Sequence, residues 1–264
     1  MSSFRTIELS DPQFEMDGLR FITVKSEHLK GRGDICLYTP ISDQPLINLP
    51  IYILLHGVYG SAWAWALKGG AHRMATKLIN SSEIKPAIIA MPSDGLWGDG
   101  SGYINHAQNF ENWIVDDVPQ AIIECIPAAS SRSPICIGGL SMGGFGALML
   151  GGKYPDRFKA VSGHSSITKL EQMAQFVEEA LEDYRKNVAF ENVIDLYIDH
   201  KEKLPPIRFD CGLDDPLLQA NQELHQALLA EAIPHVYEEF SGGHQWSYWQ
   251  THLNRTLLFF DQYA

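Results

Sequence analysis

Three residues in this chain have the types and the spacing to activate a serine. Ser141 stands in Gly139-Leu140-Ser141-Met142-Gly143, after the short apolar run Pro134-Ile135-Cys136-Ile137 and before Gly144-Phe145-Gly146-Ala147-Leu148-Met149-Leu150. The run reads as a buried strand and the small-residue stretch as a closely packed helix. A serine on a sharp strand-to-helix turn needs small neighbours, because its backbone is strained and the helix must lie close to the strand. Its hydroxyl is a poor nucleophile at neutral pH and needs a base, itself oriented by an acid. His244 suits the base. Of ten histidines it is the one in a glycine-flanked loop, Ser241-Gly242-Gly243-His244, after a strand. The acid is sought in Asp210-Cys211-Gly212-Leu213-Asp214-Asp215-Pro216, again after a strand. The offset from Gly212 and the following proline favour Asp215 over Asp214. Asp210, at the strand end, is expected to make a hydrogen bond within the loop.

A tetrahedral intermediate also needs two N–H donors. Met142, next after the serine, offers one. Leu55-His56-Gly57-Val58-Tyr59-Gly60, after an early apolar strand, offers the Val58 N–H as the other. His56, at a strand end, is expected to be structural.

These loops imply a particular set of elements. Leu19–Ser26 and Asp34–Tyr38 are β-rich runs around the turn cluster Lys30-Gly31-Arg32-Gly33, a hairpin. Pro50–Leu55 and Pro86–Met91 are continuous apolar strands of the kind covered on both faces. Asn109–Ile126 reads as helix, and Phe158–Ser162, Pro206–Phe209 and His235–Phe240 as further strands with helices between and after them. The alternation predicts an α/β fold: a mostly parallel, doubly wound sheet with an N-terminal antiparallel hairpin, in one domain over 1–264. One segment breaks the rhythm. Leu170, Met173, Phe176, Val177, Ala180, Leu181 and Tyr184 fall on a helical stripe, followed by a stretch through Val193, Leu196 and Tyr197. This helical insertion, about residues 165–204, is either an enlarged crossover or a cap.

Composition narrows the partners. The chain has 264 residues, 45% of them hydrophobic, enough for a substantial core. A net charge of −12 and a pI near 5.2 argue against nucleic acid and anionic membranes. The N-terminal residues show no apolar run of signal-peptide length, and Cys36, Cys125, Cys136 and Cys211 are widely separated. A cytoplasmic protein with small core cysteines is expected. No metal-ligand spacing or nucleotide-binding loop stands out, so no cofactor is expected. The expected partner is a small-molecule ester, and a homo-oligomer is left open.

His56-Gly57 after an apolar strand, Gly139-Leu140-Ser141-Met142-Gly143-Gly144, Gly212 with Asp215, and Gly243-His244 with Trp246 and Trp249 together resemble the putative-esterase family of α/β-hydrolases. That family includes esterase D (S-formylglutathione hydrolase), feruloyl and tributyrin esterases, enterochelin esterases and mycolyltransferases. The resemblance runs over nearly the whole chain. It implies an α/β-hydrolase fold and a metal-independent serine esterase working through an acyl-enzyme. The S-formylglutathione hydrolases usually carry Ser-Gly-Leu-Thr-Cys at the oxyanion loop and a histidine beside the nucleophile. Here His56-Gly57-Val58-Tyr59-Gly60 and Leu140 stand instead, nearer the tributyrin and feruloyl branch. The expected acyl group is therefore short or aromatic, with Tyr59, Trp97, Tyr103 and Trp246 meeting substrate. The alternatives are an acyltransferase of the same mechanism, an S-formylglutathione hydrolase and a non-catalytic binding protein on this scaffold.

Overall fold

The computed structural model describes residues 2–186 and 188–264. Its strands are β1 (Ile7–Leu9), β2 (Leu19–Ser26), β3 (Gly31–Tyr38), β4 (Ile51–Leu55), β5 (Ile88–Pro92), β6 (Ile135–Leu140), β7 (Val161–His164), β8 (Ile207–Gly212) and β9 (Val236–Phe240). They form one sheet in the order β1-β2-β3-β5-β4-β6-β7-β8-β9. The first three strands run antiparallel, β3 pairs antiparallel with β5, and from β5 to β9 every pairing is parallel. Helices connect them: α1 (Ala64–Leu67), α2 (Ala71–Asn80), α3 (Phe110–Asn112), α4 (Val118–Cys125), α5 (Met142–Lys153), α6 (Leu181–Tyr184), α7 (Val193–Asp199), α8 (Leu218–Ala230) and α9 (Trp246–Asp261).

The side-chain alternation of a strand explains why the central ones read as unbroken apolar runs. Ile51, Ile53 and Leu55 of β4 enter the core beneath α4, α5, α7 and α8, while Tyr52 and Leu54 enter the opposite core with α1, α2 and α9. All five are buried. Both sheet faces are thus covered, and the loops at the C-terminal ends of the parallel strands are left to carry chemistry.

Several elements differ from the sequence expectation. The hairpin expected to turn at Lys30-Gly31-Arg32-Gly33 turns at 27–30 instead, and Gly31, Arg32 and Gly33 pair within β3. β1 is an added edge strand, three residues long. The helix expected over Asn109–Ile126 is interrupted by a π-turn at Trp113–Asp117. Pro119 has no N–H to offer the Val115 carbonyl, which instead accepts from the Arg157 guanidinium at 2.7 Å. The stripe from Leu170 to Tyr184 is not one helix either. A 3-10 turn over Leu170–Gln175 ends at Phe176, and only one further turn, α6, follows. The chain leaves the helix because the Glu178 N–H donates to Asp99 Oδ2 at 2.8 Å rather than to a carbonyl of its own segment.

Candidate active site

Ser141 occupies the turn between β6 and α5 with φ 54° and ψ −119°, a left-handed backbone that a serine adopts only under constraint. The surroundings hold it there. Its N–H donates to the His164 carbonyl at 2.9 Å, and its carbonyl accepts from Phe145 N–H at 3.0 Å. A Cβ at Gly139 would collide with the Gly143 carbonyl, and one at Gly143 with the carbonyls of Leu55 and His56. The glycines are there for close approach of helix to sheet.

The three sequence-selected residues converge. His244 Nε2 lies 2.9 Å from Ser141 Oγ, and His244 Nδ1 lies 3.0 and 3.1 Å from the two Asp215 oxygens. An ionised carboxylate can only accept, so Nδ1–H donates to Asp215 and Nε2 keeps its lone pair for the serine proton. The Asp215 side chain is fully buried. Burial opposes its charge, but the bonds from His244 and the Leu217 N–H outweigh it, holding the carboxyl below its ordinary value. Asp214 is exposed, and its N–H donates to the Gly242 carbonyl at 2.9 Å. It helps fasten the Asp215 loop to the His244 loop, where a Cβ at Gly212 would collide with that same carbonyl.

The side chains of Val58 and Met142 meet beside Gly100, where a Cβ would touch the Met142 sulfur and, at 3.5 Å, Val58 Cγ1. Among the described residues neither backbone N–H is taken by an acceptor of the protein. His56 is buried, with Nδ1 2.7 Å from the Gly57 carbonyl and Nε2 accepting from the Asp94 N–H at 3.2 Å. That pair of partners places its proton on Nδ1 and fixes it as a support of the Val58 loop.

The expected substrate contacts divide. Tyr59 is exposed beside Val58, and its hydroxyl lies 3.3 Å from Asp99 Oδ2. Trp246 is half-buried and packs edge-on against Trp65 and Trp249, the latter touching His244. Tyr103 must be corrected: it is wholly buried, its hydroxyl donates to the His56 carbonyl at 3.1 Å, and Gly146 of α5 packs on its ring. Trp97 packs edge-on against His106 and Tyr184. Tyr103 thus braces the His56 backbone, while Trp97 is half-buried against these rings.

Two features were not foreseen. Phe176 lies flat against His244. Beneath the site, Asp210 is no loop residue but a wholly buried member of β8, bonded to Arg208 at 2.6 Å and accepting from the Tyr248 hydroxyl at 2.7 Å. Arg208 reaches Glu238 at 2.7 Å, which pairs with Arg255. His164 Nδ1 lies 2.8 Å from Asp210 Oδ2, yet it is not aligned for a hydrogen bond. Burial pushes the Cys36 and Cys136 thiols up to about 12, so they stay protonated in the core. Among the described residues no three His, Cys, Asp or Glu side chains converge to hold a metal ion.

A mostly parallel sheet that presents a strained serine against an imidazole and a buried carboxylate defines a serine hydrolase of the α/β-hydrolase class. Residues 26–260 match the family described as Putative esterase, and the chain belongs to that family. It is 29% identical over 231 residues to an acetyl esterase of Caldicellulosiruptor saccharolyticus, covering 78% of this chain and 81% of the relative. Its fold is shared with a ferulic acid esterase (TM-score 0.78, 22% identity, 98% of this chain and 100% of that one). It is shared equally with an S-formylglutathione hydrolase from Agrobacterium tumefaciens (TM-score 0.79, 20% identity, 100% and 99%). The chain is a carboxylic ester hydrolase of the serine type. No helix among the described residues is long and apolar enough to cross a membrane.

Proposed function

We propose that this protein cleaves short-chain, neutral carboxylic esters, with Ser141 as nucleophile, His244 as general base and Asp215 as its orienting acid. The observation that carries this reading is the unbroken chain of contacts from Asp215 through His244 to Ser141. His244 Nε2 takes the Ser141 proton as Oγ attacks the acyl carbon, and the Val58 and Met142 N–H groups receive the oxyanion. His244 then returns that proton to the departing alkoxide. Water, activated by the same imidazole, releases the acid and restores Ser141. A short acyl group is supported by the relative named an acetyl esterase. A neutral one is supported by the Asp99, Glu178 and Glu179 carboxylates near Tyr59 and by the overall charge of −12. A cytoplasmic location is part of the same reading.

Ser141→Ala tests it. Turnover of p-nitrophenyl acetate is expected to fall by several orders of magnitude, with labelling by a fluorophosphonate lost and the melting temperature little changed. Near-normal turnover in the folded variant would overturn the mechanism. Faster cleavage of a long-chain ester or of S-formylglutathione than of the acetate would overturn the substrate class.

A further inference from the structure

The His244 ring is fastened at both nitrogens, by Asp215 on one side and Ser141 on the other. Those bonds lie in the imidazole plane, so they do not stop the ring from rolling about the line joining its nitrogens. Contacts on its faces must do that. Phe176 supplies one, with ring centroids 5.5 Å apart and planes inclined by only 20°. Trp249 meets the imidazole at 5.1 Å with planes at 88°. Trp249 comes from the first turn of α9, close in sequence to His244. Phe176 comes from far off, at the end of the 3-10 turn in the insertion.

The insertion is itself tied down. Asp99 Oδ2 accepts the Glu178 N–H at 2.8 Å, and the Asp99 N–H donates to Glu179 Oε1 at 3.1 Å. The Asp99 carbonyl in turn accepts the Tyr59 N–H at 2.8 Å, beside Val58. A Cβ at Gly98 would collide with the Glu179 carboxylate, so the two segments lie in close contact. Residues 176–179 are thus a strap, with an aromatic ring on the base at one end and a latch to the oxyanion loop at the other.

We propose that Phe176 is a positioning residue for His244, holding the imidazole in the plane that joins Asp215 to Ser141 and stabilising the imidazolium formed when Nε2 takes the serine proton. An aromatic face within about 6 Å of a cation attracts it through the ring quadrupole, and a saturated side chain of similar size does not. The contact therefore strengthens as the ring becomes charged, and it acts on the chemical step rather than on substrate binding. The inference rests on the reading of His244 as the base.

The test is a series on p-nitrophenyl acetate: Phe176→Ala, Phe176→Leu and Phe176→Tyr, with His244→Ala as control. The Leu and Ala variants are expected to lose about three- to thirtyfold in kcat with KM changed by less than about twofold, and the Tyr variant to stay near wild type. Leu keeps most of the apolar volume, so it separates an aromatic role from simple packing even if the Ala variant folds poorly. Wild-type kcat in Phe176→Leu, with His244→Ala inactive, would overturn the inference alone. A change confined to KM would overturn it too, by placing Phe176 against substrate. Full turnover by His244→Ala would remove the base itself, and the positioning role with it.

Discussion

Asp214 and Asp215 are chain neighbours with opposite surroundings. Asp215 is buried under His244, accepts from its Nδ1–H and from the Leu217 N–H, and caps its own turn. Asp214 faces solvent and contributes its backbone alone. Asp215→Asn is expected to lower kcat by about 10⁴, because an amide in that position leaves the imidazole proton on the wrong nitrogen. Asp214→Asn should change it little. Steady-state kinetics on the two folded variants decides, and the reverse ranking would move the acid upstream. Ser141, His244 and Asp215 were legible in the sequence because each needs a signature of its own: glycines at a strained turn, glycines before a loop histidine, a proline after the acid. Tyr103 misled because an aromatic beside the site looks the same in sequence whether it lines a pocket or props a loop. Its complete burial and its hydroxyl bond to the His56 carbonyl tell the two apart.

At the scale of elements, the elbow depends on how near α5 comes to β4. Gly143 is in the helix's first turn, and any Cβ there would meet the carbonyls at the end of β4. Gly143→Ala should therefore push the helix start outward, costing about 1–3 kcal/mol as overpacking does. Because the turn carries Ser141 and Met142 together, kcat/KM should fall by about a hundredfold, the penalty for misplacing a reacting group by an ångström. Thermal melting and kinetics on the same preparation check both parts. Unchanged activity would show that the turn can relax without moving the hydroxyl. The strands of the parallel sheet were readable from apolar runs, usually within one to three residues at each end. The insertion was not, because its stripe of apolar residues has helical spacing while its backbone is claimed at Glu178 by a carboxylate 79 positions away in sequence. A periodicity sees side chains; it cannot see a distant acceptor competing for an N–H.

For the molecule as a whole, a largely buried polar group joins β7, β8, β9 and α9 through His164, Asp210, Arg208, Glu238 and Tyr248. Burial disfavours the Asp210 charge, but His164 and Arg208 more than compensate, and the carboxyl is held well below its ordinary 3.8. A depressed carboxylate adds stability above its unfolded value, and that contribution disappears as pH falls through the folded one. The wild type should thus lose this share of its stability only below about pH 4. Asp210→Asn should lose it at every pH, by about 3–5 kcal/mol for a broken buried pair, or a melting temperature lower by about 6–20 °C at neutral pH. A shift of a degree or two would mean that Arg208 finds enough compensation in Glu238. The signal was present in the sequence, since Arg208 and Asp210 sit two apart, on one face of an otherwise apolar strand. It went unread because a charge near a strand end is ordinarily a loop residue, and what carries β8 past Asp210 to Gly212 is its pairing with β9.

That register has a consequence for endurance. β9 stands at the margin of the sheet, bonded to β8 alone, and the loop after it carries His244. Ser141, by contrast, follows β6 in the middle, with a strand on either side. Strands at a margin open locally at a lower free energy than those inside. Local opening at that border is therefore expected to displace His244 while Ser141 keeps its bent turn in the middle of the sheet.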